Sequence, residues 1–494
     1  MMVTPARGKA PSFLDIRDIE PRSGMSGKTP CDPSTLDQDE GGAVAARGTI
    51  RVRTRAVQAL RRLTRQTRTI WAEEGARPAL QGMLGEIAHL TRLKARRAVN
   101  RLGGGLRRSA WRIGRRYRRP TPIIAEATLL IGYIDAHLGL GQSLRDLAKA
   151  LATTSEPFAI YPFGIGVEGR RGAPYMPERY DRSNAYAINV VELAANQLPA
   201  LFAHLSPDRF DRSYNILRTY WELSRVPEEW RAALEPIDEI WAPNRFVAES
   251  FRAVFDRTIT IIPPCVQRPD WTRSDPRRFL DPPERFHFLF SFDYHSYPQR
   301  KNPEGVLRAF LRAFPDPETP VGLVIKSTGA AAHYPEIKRE LHGAMRQDPR
   351  IRIVDGNISR DEMLSLIEAS NCYVSLHRSE GFGLGMAEAM MLGKPVIGTG
   401  YSGNADFVRE ATGFPVRYEL RPLRNGEYVH WQGQVWAEPD EADAAAAMRR
   451  VFEDRVEAER RAEAGRDFVQ EHYGAENVGR LAAARLAAIR SGAI

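Results

Sequence analysis

Glu380 and Glu388 stand with seven residues between them in the stretch 375–400, SLHRSEGFGLGMAEAMMLGKPVIGTG, and Gly381, Phe382 and Gly383 follow directly on the first. The stretch reads as the end of a buried strand, a glycine-bearing turn, a short helix carrying Glu388, and a second apolar run at 395–397 that forms the next strand. A βαβ turn of this kind leaves backbone N–H groups unpaired and aims them, with the positive end of the helix dipole, beyond the carboxyl edge of the sheet. The ligand that suits it is a phosphate. Two glutamates would repel a bare phosphate, but an ionised carboxylate accepts hydrogen bonds from vicinal hydroxyls of a sugar or ribose. Arg300 and Lys301 supply positive charge for the phosphates without a metal. A nucleotide-sugar satisfies all these groups at once.

The elements that must hold these residues alternate. The run 127–134 (ATLLIGYI) has the continuous apolar character of a strand buried on both faces of a parallel sheet. A loop containing His137, Gly139 and Gly141 follows, then a helical pattern through Leu144, Leu147, Ala148 and Leu151. Gly139 and Gly141 form a partial phosphate-loop signal at the first strand-to-helix turn, where α/β sheets bind ligands. Further strands are expected at 158–161, 186–193, 215–220 and 237–242. Glu222 lies among large aromatics just after one of them, and Asn244 stands where it would cap a helix. A second series opens at 286–292 (FHFLFSF) and continues with a helix at 304–314, strands at 321–326 and 351–354, a helix at 360–368 and a strand at 371–376. Such alternation predicts α/β architecture with doubly wound parallel sheets.

Length and charge divide the chain further. At 494 residues it exceeds one core. The expected organisation is a disordered tail at 1–46, a basic and partly helical arm at 47–119, a first Rossmann-like domain at 120–267, a linker at 268–285, a second Rossmann-like domain at 286–470, and a C-terminal helix at 471–494 that crosses back to the first domain. The net charge of +10 is regional: residues 47–119 carry 21 Arg and Lys against 3 Glu. Leu80, Met83, Leu84, Ile87, Leu90 and Leu93 recur there at helical spacing, as in basic helices that lie on anionic membrane surfaces. A solvated arm packed on the main body is the alternative. No recognition module accompanies the charge, which argues against nucleic acid. No apolar run nears the roughly 20 residues that span a bilayer, and the N-terminus has no apolar leader core. The three cysteines are far apart in sequence. A cytoplasmic protein, peripheral on the inner face of the plasma membrane, is expected.

The block SEGFGLGMAEAMMLGKPVIGT resembles the signature of retaining glycosyltransferases of family 4, which have the GT-B fold of two Rossmann-like domains facing across a cleft. TYWELSRVPEEW, DEIWAPNRFVAESF, FDYHSYPQRKNP and YSGNADFV resemble the subgroup that acts in bacterial surface and capsular polysaccharide assembly. The resemblance spans roughly residues 129–438. It implies a UDP- or GDP-sugar donor held mainly by the second domain, a glycan or lipid-linked acceptor held by the first, and transfer with retention of anomeric configuration with no cofactor or obligatory metal. By position, Glu388 would bind the donor ribose, Lys301 the diphosphate, and Glu380 with Gly381, Phe382, Gly383 and Leu384 the donor sugar. The chain departs from the family twice. Phe290-Ser291-Phe292 stands where many members have a glycine-arginine pair, so Arg300 would take over that charge, and the position of an active-site histidine falls at Tyr220-Trp221-Glu222, which makes Glu222 a candidate active-site carboxylate. Two other functions compete: a nucleotide-sugar epimerase or hydrolase of the same fold, and a non-enzymatic scaffold at a membrane surface.

Overall fold

The computed structural model describes residues 122–492 apart from 168–171, 206–208, 269–270, 281 and 330. The tail and the basic arm lie outside the described residues. The first sheet is built from β1 (Ile123–Gly132), α1 (Gly139–Ala152), β2 (Phe158–Pro162), β3 (Ala185–Glu192), α2 (Leu198–His204), β4 (Tyr214–Arg218), β5 (Glu239–Ala242), α3 (Arg245–Phe251) and β6 (Thr258–Ile261). Its strands run β2-β1-β3-β4-β5-β6, all parallel. Leu129, Leu130 and Ile131 are fully buried and feed cores on both faces, as the unbroken apolar run requires.

The second sheet follows with β7 (Phe286–Asp293), α4 (Pro298–Lys301), α5 (Pro303–Ala313), β8 (Val321–Thr328), α6 (Pro335–Gln347), β9 (Ile351–Asp355), α7 (Arg360–Ala369), β10 (Cys372–Ser375), α8 (Leu384–Met391), β11 (Val396–Thr399) and β12 (Phe414–Val416). The order is β12-β11-β10-β7-β8-β9, again parallel. Its topology reverses between β10 and β7, and ligands of open α/β sheets bind at such a switch. The molecule is thus α/β with two six-stranded Rossmann-like domains.

Three features depart from the sequence reading. The strand β6, with sequence TITI, went unread because it is a half-exposed edge whose polar and apolar residues alternate. An antiparallel hairpin, β13 (Tyr418–Pro422) with β14 (Val435–Pro439), leaves the second sheet, and its residues Leu423, Tyr428 and Trp436 join the hydrophobic core of the first. The segment 268–285, read as a linker, buries Phe279 and Leu280 against the second sheet. The alanine- and arginine-rich end forms α9 (Glu441–Glu453), α10 (Arg455–Tyr473) and α11 (Ala475–Ser491). Val478, Ala482, Leu486 and Ile489 of α11 pack into the first sheet's core beside Leu144 and Leu147 of α1. Close approach is possible because Gly479 has no side chain: a Cβ there would lie 2.1 Å from Ala150 O.

Candidate active site

The carboxyl edge of the second sheet is organised around Glu380. Asn302, in the left-handed region at φ 57°, caps α5 through Gly305 N and donates Nδ2 to Leu376 O at 2.9 Å. That bond ties the turn after β7 to the segment after β10. Arg300 Nη1 donates to Ser379 O at 2.7 Å and lies 3.0 Å from Glu380 Oε2, while Lys301 Nζ donates to Glu380 Oε1. From the far side Ser402 Oγ accepts from Glu380 N at 2.8 Å and Glu380 O accepts from Gly403 N at 3.0 Å. Burial opposes charge on Glu380, but Lys301 and then Arg300 outweigh it and hold the carboxyl well below the usual range. Burial likewise works against Arg300, and Glu380 more than restores it, so its pKa is raised. For Lys301 burial prevails over Glu380, and its pKa is lowered. Two cations contact this one carboxylate, and the charge of Glu222 acts on both from farther off.

The helix α8 begins at this point. Gly383 stands at φ 93°, a conformation open to glycine and strained for other residues, and turns the chain from Glu380 into the helix. The first turn borders a cavity of about 930 Å³ that also contacts Lys301, Glu380 and Glu388. Its opposite wall comes from the ends of β8 and β9, at Lys326 and Asn357, and His137 reaches it from the first sheet. Glu388 is held by Arg360, the first residue of α7, with Nη1 to Oε2 at 3.0 Å and Nη2 on the other oxygen. Each carboxylate oxygen keeps a second lone pair for a ligand hydroxyl.

Of the residues singled out in the sequence, Glu380, Lys301, Gly383, Leu384 and Glu388 share this cavity. Arg300, Gly381, Phe382, Glu222, Gly139 and Gly141 are not in its wall. Arg300 is 4% exposed and sits behind Glu380. Gly381 meets the first sheet, where Asn244 caps α3 through Val247 N and donates Nδ2 to Gly381 O at 2.6 Å. Phe382 is buried against Phe407 and Tyr473. Glu222 accepts at Oε2 from the Tyr428 hydroxyl at 2.8 Å, and its backbone oxygen accepts from Ser379 Oγ. Gly139 and Gly141 open α1, and a Cβ at Gly141 would lie 2.4 Å from Ala136 O. His377 is fully buried, with Nε2 2.8 Å from Asn404 Oδ1 and Nδ1 3.2 Å from Ser375 Oγ, and burial pushes its pKa down. Asn404 also donates to Thr399 O at 2.8 Å, so this pair shapes the turn after β11. Lys326, Arg360 and Tyr428 escaped the sequence reading. A lysine closing an otherwise apolar strand is a signal for the first, whereas Tyr428 lies 206 residues from Glu222 and carries none.

Residues 352–468, which include Glu380 and Glu388, match the family described as glycosyl transferases group 1. No curated protein matches the chain in sequence. Among solved structures, it is similar to sucrose-phosphate synthase from Thermosynechococcus elongatus at TM-score 0.54 and 18% identity, over 75% of this chain and 100% of that one. It is similar to Anabaena HepE, solved in complex with UDP and glucose, at TM-score 0.50 and 14% identity, over 74% and 100% of the two chains. A glycosyltransferase from Rickettsia africae aligns at TM-score 0.51 and 13% identity over 74% and 98%. The likeness to these structures is one of fold: the paired Rossmann-like domains are of the GT-B type, and the matched segment 352–468 lies in the second.

Proposed function

We propose that this protein transfers a glycosyl group from a nucleotide-sugar, a UDP- or GDP-sugar, to a hydroxyl acceptor. The observation that carries the reading is the cavity at the second sheet's carboxyl edge, bordered by Glu380, Lys301, Glu388 and the first turn of α8. In it Lys301 and the helix N-terminus meet the diphosphate, Glu388 the ribose, and Glu380 with the Gly383–Leu384 backbone the sugar. The leaving group is a nucleoside diphosphate, and its charge grows as the glycosidic bond breaks. Preorganised cations and dipoles aimed at that charge lower the barrier most. Arg300 acts through Glu380 and Ser379 rather than by touching the donor.

The finer reading follows the signature at 379–399. Transfer proceeds with retention, without an obligatory metal, to a glycan or lipid-linked acceptor in polysaccharide or glycolipid assembly. The first domain, with Glu222 and His137, receives the acceptor. The arm at 47–119, with its 21 basic residues, holds the enzyme at an anionic membrane surface.

Thermal denaturation with each of a UDP-, GDP- and ADP-sugar tests the donor reading. A cognate donor at 100 times its dissociation constant should add about 2.7 kcal/mol of stability. No shift with any of the three would overturn it. Free sugar released as fast without acceptor as with it would favour a hydrolase.

A further inference from the structure

The wall of the cavity opposite Glu380 holds a buried ammonium to which the roles above assign nothing. Lys326, near the end of β8, is 1% exposed, and its Nζ donates to Ser327 O at 2.7 Å and to Gly356 O at 2.5 Å. An ammonium has three donors. The third has no acceptor among the described residues, and Lys326 borders the cavity. Two backbone carbonyls are poor compensation for a cation taken out of water. Burial pulls its pKa down against Asp355 and Asp293.

Its place in the sheet says what the free donor faces. The strand order is β10-β7-β8-β9, and neighbouring strands lie about 4.8 Å apart. Glu380 follows β10, Lys301 follows β7, and Lys326 lies near the end of β8, so the buried ammonium stands two strand spacings, roughly 10 Å, from the Glu380 turn. Asn357, Ile358 and Ser359, after β9, close the cavity beyond it. A donor with its sugar and diphosphate at Glu380 and Lys301 and its ribose at Glu388 therefore has this end left for its base.

We propose that Lys326 reads the base of the donor, giving its third N–H to uracil O4 or guanine O6 and so selecting uridine or guanosine nucleotides over adenosine and cytidine ones. The inference rests on the nucleotide-sugar reading above. Guanine O6 and the O4 of the uracil ring are acceptors, where adenine and cytosine present amino donors. A side chain with donors and no acceptor attracts the first pair and opposes the second. Lys326 also anchors the loop it borders, because its bond to Gly356 O fixes the turn that leads to Asn357.

Calorimetric titration of the full-length protein with UDP, GDP, CDP and ADP tests this. UDP or GDP should bind about 10- to 100-fold more tightly than ADP, the span of one hydrogen bond to a charged donor. Lys326→Met should remove most of that ratio while leaving ADP affinity near its wild-type value. An unchanged ratio, or an equal loss for all four nucleotides, would overturn base reading and leave Lys326 a loop anchor. Should the variant fail to fold, 4-thio-UDP, or 6-thio-GDP if GDP is the tighter ligand, decides the matter on the wild-type protein, since sulfur is a weak acceptor: the thio analogue should bind more weakly than its parent, and equal affinity refutes the role. If the wild-type protein bound none of the nucleotides, the donor site itself would fall and this inference with it. Tight UDP or GDP binding with an unaltered Lys326→Met ratio would remove only the inference.

Discussion

At the carboxyl edge of the first sheet, Glu192 from β3 and Arg218 from β4 pair at 2.6 Å with side-chain exposures of 0% and 1%. Arg218 Nη1 also donates to Ser143 Oγ at 2.7 Å, and that oxygen lies 2.6 Å from the Tyr220 hydroxyl. At the edge of the second sheet Glu380 meets both Arg300 and Lys301, and Lys301 is 19% exposed beside the cavity. The residue types match and the settings do not. In the first sheet the charges balance one to one and are sealed from solvent, and the atoms of the pair left without a partner among the described residues, Glu192 Oε1 and Arg218 Nε, are buried with it. In the second, two cations contact one carboxylate, and one of them is open on one side. A balanced, dry ion pair holds structure, while a cation open at a cavity wall is poised for an anion.

Breaking each edge should therefore give opposite results. Arg218→Met leaves Glu192 buried and uncompensated, and should cost about 3–5 kcal/mol of stability in chemical denaturation while donor affinity in the surviving folded protein stays unchanged. Replacing the pair together, Glu192→Leu with Arg218→Met, should recover most of the loss. If the single variant instead weakened nucleotide binding without loss of stability, the first edge would be a ligand site and the contrast would fail. Lys301→Ala is the mirror case. Glu380 keeps Arg300 at 3.0 Å, so the fold should hold. Donor affinity should drop by about 1.5–3 kcal/mol, one charged hydrogen bond, when titrated by calorimetry.

The same contrast explains what the sequence made legible. The runs 127–134 and 286–292 announced buried parallel strands because burial on both faces leaves no polar alternation. Glu380, Gly383, Leu384 and Glu388 were legible together because one strand, one turn and one helix place them, so their spacing in sequence is nearly their spacing in space. Lys301 reaches Glu380 from 79 residues away, and it was called for by the chemistry of an anion beside two glutamates and by its place in the family resemblance. Lys326 looked like the polar end of an apolar strand; its significance comes from the order β10-β7-β8, which no local pattern encodes. Phe279 and Leu280 were hidden in a stretch whose prolines and arginines read as a linker. The hairpin of β13 and β14 was missed for the same reason on a larger scale: what it packs against lies some two hundred residues earlier.

That hairpin joins the two edges, and it offers the finest test of how they are held. Tyr428 packs at 4.6 Å from the ring of Tyr297 and 6.1 Å from that of Trp221, and its hydroxyl donates to Glu222. Burial first, and then Glu222, raise the Tyr428 pKa well above its usual value, so the hydroxyl remains a donor. Tyr428→Phe keeps the ring and removes only that bond. The expected cost is about 1 kcal/mol of stability, the net contribution of a typical hydrogen bond, with donor affinity unaltered because neither residue borders the cavity. A double-mutant cycle with Glu222→Leu, which removes the acceptor, isolates the pair from the surrounding aromatic packing. Coupling of about 1 kcal/mol would show that the hydroxyl positions Glu222. Coupling indistinguishable from zero would mean that ring packing alone fastens the hairpin, and that Glu222 takes its orientation from its own backbone, held by Ser379.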